Sequence, residues 1–275
     1  MSESRLIWAY VRHLFVALAC TLLPAVVASA PSMAQVVPDS TLGAESSLVP
    51  DASETGTLPN VLIEGGAQRE TTLFHSFEQF NVNPHQQVRF ANPIDVENIV
   101  SRVTGGNISN IDGLLGVDGL ANLFFLNPSG VIFGPNAQLD LNGAFVVSTG
   151  EQFILSEEGT FSAVDPETPP LLNLGVPVGI QLGANPQPIE ANGIRVEGAP
   201  GQPLALIGGD ITIADSMLRA PGGRLVLGGL AEAGTLGLNL AAKTPQSVLT
   251  SNPPEAERAD ISLEANNSLG NPTFL

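Results

Sequence analysis

The stretch "NLFFLNPSGVIFGPNAQLDL", residues 122–141, carries two turn signatures inside a run of Leu, Phe, Val and Ile. Asn127-Pro128-Ser129-Gly130 has Asn first, Pro second and Gly fourth, the favoured chemistry of a type I turn. Gly134-Pro135-Asn136 follows almost at once, with Pro135 presetting φ. The chain between them must be short and extended. In a strand, Leu123, Phe124, Phe125 and Leu126 alternate between opposite faces, so both faces need cover. Four residues before Asn-Pro cannot make a helix. Burying those four side chains is worth roughly 6–12 kcal/mol gross, at 1.5–3 each.

The same punctuation continues outward. Val88-Arg89-Phe90 ends at Asn92-Pro93, and the chain holds 29 Gly and 22 Pro in 275 residues, spread throughout. Such a distribution forbids long helices, because Pro removes a donor and Gly costs backbone entropy. An all-β chain is expected. Leu206-Ile207-Gly208-Gly209 recurs as Val226-Leu227-Gly228-Gly229, a period near twenty residues. Short strands at that period suit a right-handed, single-stranded parallel β-helix. An antiparallel sandwich would show more hairpin dipeptides, and Asn-Gly occurs only at Asn142-Gly143 and Asn192-Gly193.

Hydrophobic residues make up 43%, enough for a packed core. Against 10 basic residues stand 27 acidic ones, a net charge of -17, and Lys243 is the sole lysine. Nucleic acid is excluded as a partner, since it needs clustered Lys and Arg. The acidic balance serves solubility, or attraction to a basic partner surface.

Residues 1–34 read as a secretory signal peptide: Arg5, Arg12 and His13 precede an apolar stretch from Leu14 to Ala28. Small residues before Gln35 place the cleavage between Ala34 and Gln35. The stretch is short for a membrane span and Pro24 interrupts it. Cys20, Trp8 and Tyr10, each the single residue of its type, leave with the signal. The exported chain then relies on packing rather than disulfides. Residues 35–57, rich in Ser, Thr, Asp and Pro, read as a linker or loosely attached leading segment. The fold proper is expected over 58–245, with core motifs at 58–150, and a partly disordered end at 246–275.

Several ordered motifs carry a family resemblance: "TLFHSFEQFNV" (72–82), "VRFANP" (88–93), "NIVSRVTGG" (98–106), "SNIDGLL" (109–115), "NLFFLNPSGVIFGPNA" (122–137) and "GAFVVSTG" (143–150). "LALIGGDITI" (204–213) and "APGGRLVLGG" (220–229) continue it. Over residues 58 to 240 the chain resembles the N-terminal secretion domain of filamentous-haemagglutinin-type proteins, the exported partners of two-partner secretion systems in Gram-negative bacteria. The resemblance implies a β-helix with amino-terminal capping and extra-helical strands. It also implies recognition by the POTRA domains of an outer-membrane barrel transporter, export through the periplasm, and a destination outside the cell or on its surface. A haemagglutinin- or adhesin-like exoprotein without catalysis is expected, with a host or neighbouring cell surface as a further partner.

The family's Asn-Pro-Asn-Gly-Ile tract falls on Asn127, Pro128, Ser129, Gly130 and Val131, with Ser for Asn and Val for Ile. Glu70 and Thr72 stand where Gly and Asn are usual, and an Asn-Pro-Asn-Leu tract has no counterpart between Gly105 and Leu115. Two readings of the Asn127 turn stay open: a corner that stacks between coils, or an edge shown to the transporter.

No cofactor or metal is expected. His75 and His85 lack accompanying Cys or clustered carboxylates, so His75 reads as a packed residue and His85 as a solvated turn. "GGDITIAD" (208–215) lacks the tandem repetition of calcium-binding nonapeptides, and Asp112, Asp118 and Asp140 read as solvent-side turn residues. The rival class is an extracellular β-helix polysaccharide lyase or hydrolase. It would need a carboxylate cluster and basic residues; between 103 and 242 only Arg195, Arg219 and Arg224 are on offer.

Overall fold

The computed structural model describes residues 36–49, 60–156, 159–166, 175–239 and 256–264. The expected signal peptide, with Ala34 and Gln35, lies outside the described residues. Among the described residues the regular structure is strand, apart from one short 3-10 turn at Gly43–Glu45.

The chain winds as a parallel β-solenoid with three faces. One long sheet stacks Thr72–Phe80, Asn98–Val103, Asn122–Leu126, Phe145–Ser148, Pro203–Gly208 and Arg224–Gly229 in that order. A second stacks Ser109–Ile111, Val131–Phe133, Ile189–Asn192, Ile211–Ala214 and Ile261–Glu264. The third runs Val61–Gly65, Gln87–Ala91, Leu114–Asp118 and Gln138–Asp140, and Arg195–Glu197 pairs with Met217–Arg219 in a separate two-stranded piece. Coil length follows from side chains bonded across rungs: Asn122 reaches Asn98, 24 residues back, and Ala144 reaches Asn122 from 22 residues on.

Register keeps like residues in columns. Leu73, Ile99, Leu123, Phe145 and Leu204 stack on one another and point to the axis. One residue along, Phe74, Val100, Phe124, Val146 and Ala205 form a column on the opposite face. A bare solenoid would leave that second column in water. Here it is covered by an antiparallel sheet of Gln152–Leu155, Thr160–Ser162, Pro177–Leu182 and Gly234–Gly237, outside the helix. Two cores result. Leu123, Phe125, Val131 and Phe133 line the axis; Phe124, Leu126, Val146, Phe153, Phe161 and Ile180 fill the space beneath the outer sheet. The run "LFFL" is apolar throughout because its two faces serve two cores.

Most of the outer sheet arises as an excursion. The chain leaves the solenoid after Ser148 and resumes at Ile189, which stacks on Val131 as though nothing intervened.

Three expectations need correction. Residues 36–49 are not loosely attached: Val36–Pro38 pairs antiparallel with the far end of Thr72–Phe80, and Ser47–Leu48 with Val61–Gly65. Together with Ala67–Arg69 they cap the amino end of the solenoid, and Leu42 is buried. The fold therefore includes residues 36–49 rather than beginning near Leu58. Beyond residue 245, Ile261–Glu264 adds a further parallel strand to Ile211–Ala214. The repeat also slips by one position. Leu206 stacks on Leu227, not on Val226, a register that keeps Leu206 and Leu227 on the axial core while Val226 packs on the outer one.

Candidate functional site: the Asn127 corner and the root of the excursion

The corner between Leu126 and Val131 stands directly below the point where the excursion leaves. Asn127 N donates to Ser148 O (2.9 Å), the last residue before the departure, and Val131 N donates to Pro188 O (3.3 Å), on the return. The stem is closed by Thr149 Oγ1 donating to Gln187 O (2.5 Å).

Asn127 itself is fully buried. Its Nδ2 donates to Asn107 O (2.9 Å) and to Ser109 Oγ (2.9 Å) in the preceding coil. Its Oδ1 accepts from Ser129 N (2.9 Å), and its carbonyl accepts from Gly130 N (3.1 Å), so the turn is closed from both sides. Gly130 holds φ at +112°, a left-handed conformation that disfavours a side chain, and the carbonyl of Pro188 packs close above it. Val131 is buried at the start of the next strand, while Pro128 and Ser129 are half-buried and form the outward part of the corner. The five residues are thus contiguous but unequal. Asn127, Gly130 and Val131 sit inside the stack, and Pro128 and Ser129 reach its surface.

The next corner repeats the principle with a carboxylate: Asp112 Oδ1 accepts from Asn136 N (2.7 Å) and from Asn136 Nδ2 (3.2 Å). Asp118 and Asp140 both bond Arg89, which reaches across the third sheet over Gly116. Of the remaining basic residues, Arg219 pairs with Glu197 at 3.2 Å on the surface. Arg195 stands on the same short strand as Glu197, and Arg224 opens the last rung of the long sheet. His85 is exposed in a turn with φ of 64°.

His75 packs inside the first rung, fully buried, with Nδ1 2.9 Å from Ser47 Oγ. Burial in this apolar setting pushes its pKa down to about 3, so the ring is neutral at physiological pH.

A second polar centre was not apparent in the sequence. Arg102 is 1% exposed, and its guanidinium donates to Ser76 Oγ (2.9 Å), Thr41 Oγ1 (2.8 Å) and Ser162 O (2.5 Å). Burial lowers its pKa to about 10, the nearby Asp39 opposing, and it remains charged at neutral pH. Asp39 accepts from Thr41 N, Thr41 Oγ1, Ser76 Oγ and Thr104 Oγ1. Burial raises the Asp39 carboxyl, but these hydrogen bonds outweigh it and hold the pKa below the usual carboxylate value.

The fold is a capped parallel solenoid with an outer antiparallel sheet rooted beside an Asn-Pro-Ser-Gly corner. The family model of the TPS secretion domain matches residues 34–271. The chain belongs to that family, the two-partner-secretion domains of haemagglutinin-like exoproteins. It is 30% identical over 114 residues to the heme/hemopexin-binding protein of Haemophilus influenzae, a match covering 42% of this chain and 12% of that protein. The chain thus spans about an eighth of the length of this relative. In fold it resembles the crystal structure of the filamentous hemagglutinin secretion domain, with a TM-score of 0.53 and 17% identity over 84% of this chain and 73% of the other.

Proposed function

We propose that this chain is the export module of a haemagglutinin- or adhesin-like exoprotein, addressed to the POTRA domains of a cognate outer-membrane barrel transporter and without catalysis of its own. The observation that carries the reading is the TPS secretion domain match over residues 34–271, on a solenoid with a capped amino end. The route runs through the periplasm and across the outer membrane to the cell surface or beyond. A solenoid suits this route physically. Each coil packs mainly on its neighbour, so folding propagates along the stack and can draw the chain outward without nucleotide. Recognition before that step uses strand addition at a sheet edge, where main-chain hydrogen bonds supply affinity. The net charge of -17 steers the chain toward a basic partner face.

The Asn127 corner is the proposed transporter-recognition motif. Its surface part, Pro128 and Ser129, is available to a partner, while Asn127 holds its shape. The test is secretion by cells carrying the cognate transporter. Asn127→Ala combined with Pro128→Ala is expected to stay in the periplasm; normal surface secretion of that variant refutes a recognition role. Pro128→Ala with Ser129→Ala alters the outward residues alone, and its export and its binding to purified POTRA domains separate recognition from folding.

A further inference from the structure

Three segments far apart in sequence meet on one guanidinium. The leading segment, 36–49, brings Thr41 to Arg102 Nη2, and the rung below brings Ser76 to Nε. The outer hairpin brings the Ser162 carbonyl to Nη1, and the Phe161 ring lies 4.2 Å from the guanidinium carbon. Leu42 of the leading segment packs in the same core as Phe161, beneath the outer sheet. Arg102 therefore stands where a plain solenoid would offer a solvated outward position, and it has been roofed over from two sides.

A charge taken out of water costs several kcal/mol unless its donors are all engaged. If the hairpin docked without the leading segment, Nη2 would be desolvated with its partner gone. If the leading segment docked alone, the same would hold for Nη1. Half-assembled states thus carry a buried, underbonded cation, and the complete state does not.

We infer that Arg102 is a clasp that makes the leading segment 36–49 and the outer hairpin 152–162 dock on the solenoid as one cooperative event. The amino-terminal cap then does not close coil by coil. It closes only once Ser162, 60 residues beyond Arg102, has arrived. This inference stands independently of which partner the Asn127 corner meets.

Hydrogen exchange read by mass spectrometry on the full chain tests it. Arg102→Met keeps the bulk of the stem but removes the donors. Exchange is expected to rise at least tenfold in 36–49 and in 152–162 together, with 122–126 and 145–148 unchanged. A rise in one segment alone overturns the proposal. Should Arg102→Met fail to fold, Thr41→Val decides the matter. Thr41 bonds Arg102, Asp39 and Ser76 without belonging to the apolar core beneath the outer sheet, so faster exchange in 152–162, at least threefold, is expected by way of the clasp. Unchanged exchange there overturns it. Phe161→Leu provides the reverse arm, with faster exchange expected in 36–49.

Discussion

Phe124 and Phe125 are adjacent in the chain yet belong to different cores. Phe125 meets Phe80 edge-on at 4.9 Å within the axis, whereas Phe124 meets Phe153 edge-on at 5.8 Å beneath the outer sheet. Truncation to Ala is expected to cost about 3–5 kcal/mol at either position. The structural consequences differ. Phe125→Ala loosens the stacked coils, and Phe124→Ala frees the outer sheet while the coils hold. Urea unfolding gives the loss of stability, and hydrogen exchange in 152–155 against 98–103 separates the two; equal exposure of both regions in both variants contradicts the division.

Asn127→Ala leaves the carbonyl of Asn107 and the hydroxyl of Ser109 without their donor inside the stack. The expected cost is about 1–3 kcal/mol. Ser129→Ala removes a hydroxyl at the half-buried surface and is expected within ~0.5 kcal/mol of the parent. Thermal or urea denaturation of the two purified variants measures the contrast, and an equal loss in both argues against a buried anchor at 127.

Acid should weaken the fold by way of His75. Its pKa in the folded chain is about 3, against 6.5 for a free imidazole, so between those values the unfolded chain binds the extra proton. Stability contributed by the neutral ring is present above pH 6.5 and declines as pH falls toward 3. Asp39 acts in the same direction lower down, since its carboxyl is held below its ordinary value. Melting temperatures between pH 7 and 4 are expected to drop, and His75→Asn to flatten the upper part of that slope. A parent whose melting point is constant from pH 7 to 4 refutes the assignment.

The ion pairs of Arg89 with Asp118 and Asp140 are half-exposed to exposed, with side-chain accessibilities of 27%, 47% and 53%. Their worth is expected to be small. Arg89→Gln should cost no more than about 1 kcal/mol at low salt and close to nothing in 1 M salt. Denaturation at the two ionic strengths decides it, and a loss above 2 kcal/mol that persists in salt would show the pairs to be structural.

Much of this was legible in the residues. Asn127-Pro128-Ser129-Gly130 announced a corner through local turn chemistry, and the double-faced grease of Leu123–Leu126 announced cover on both sides. What escaped depended on contacts distant in sequence. The polar segment 36–49 looked like a linker because its partners, Phe80, Phe77 and Gly65, lie in strands further on. Arg102, in "NIVSRVTGG", falls on an outward position where an arginine ordinarily meets solvent. Nothing nearby signals that residues 152–162 return to roof it. The one-residue slip between Leu206 and Val226 had a similar cause. The Gly208-Gly209 and Gly228-Gly229 pairs match at a spacing of twenty, while the apolar columns set the register one residue further.

The uninterrupted passage of the ladder from Phe145–Ser148 to Leu204–Ile207 makes the detour at 149–188 a natural graft point. Neighbouring rungs fix where the chain departs and re-enters, not how far it travels meanwhile, and closing a longer loop adds only about 0.6 kcal/mol for each doubling. A reporter or epitope could be spliced into this balcony without disturbing the staircase behind it.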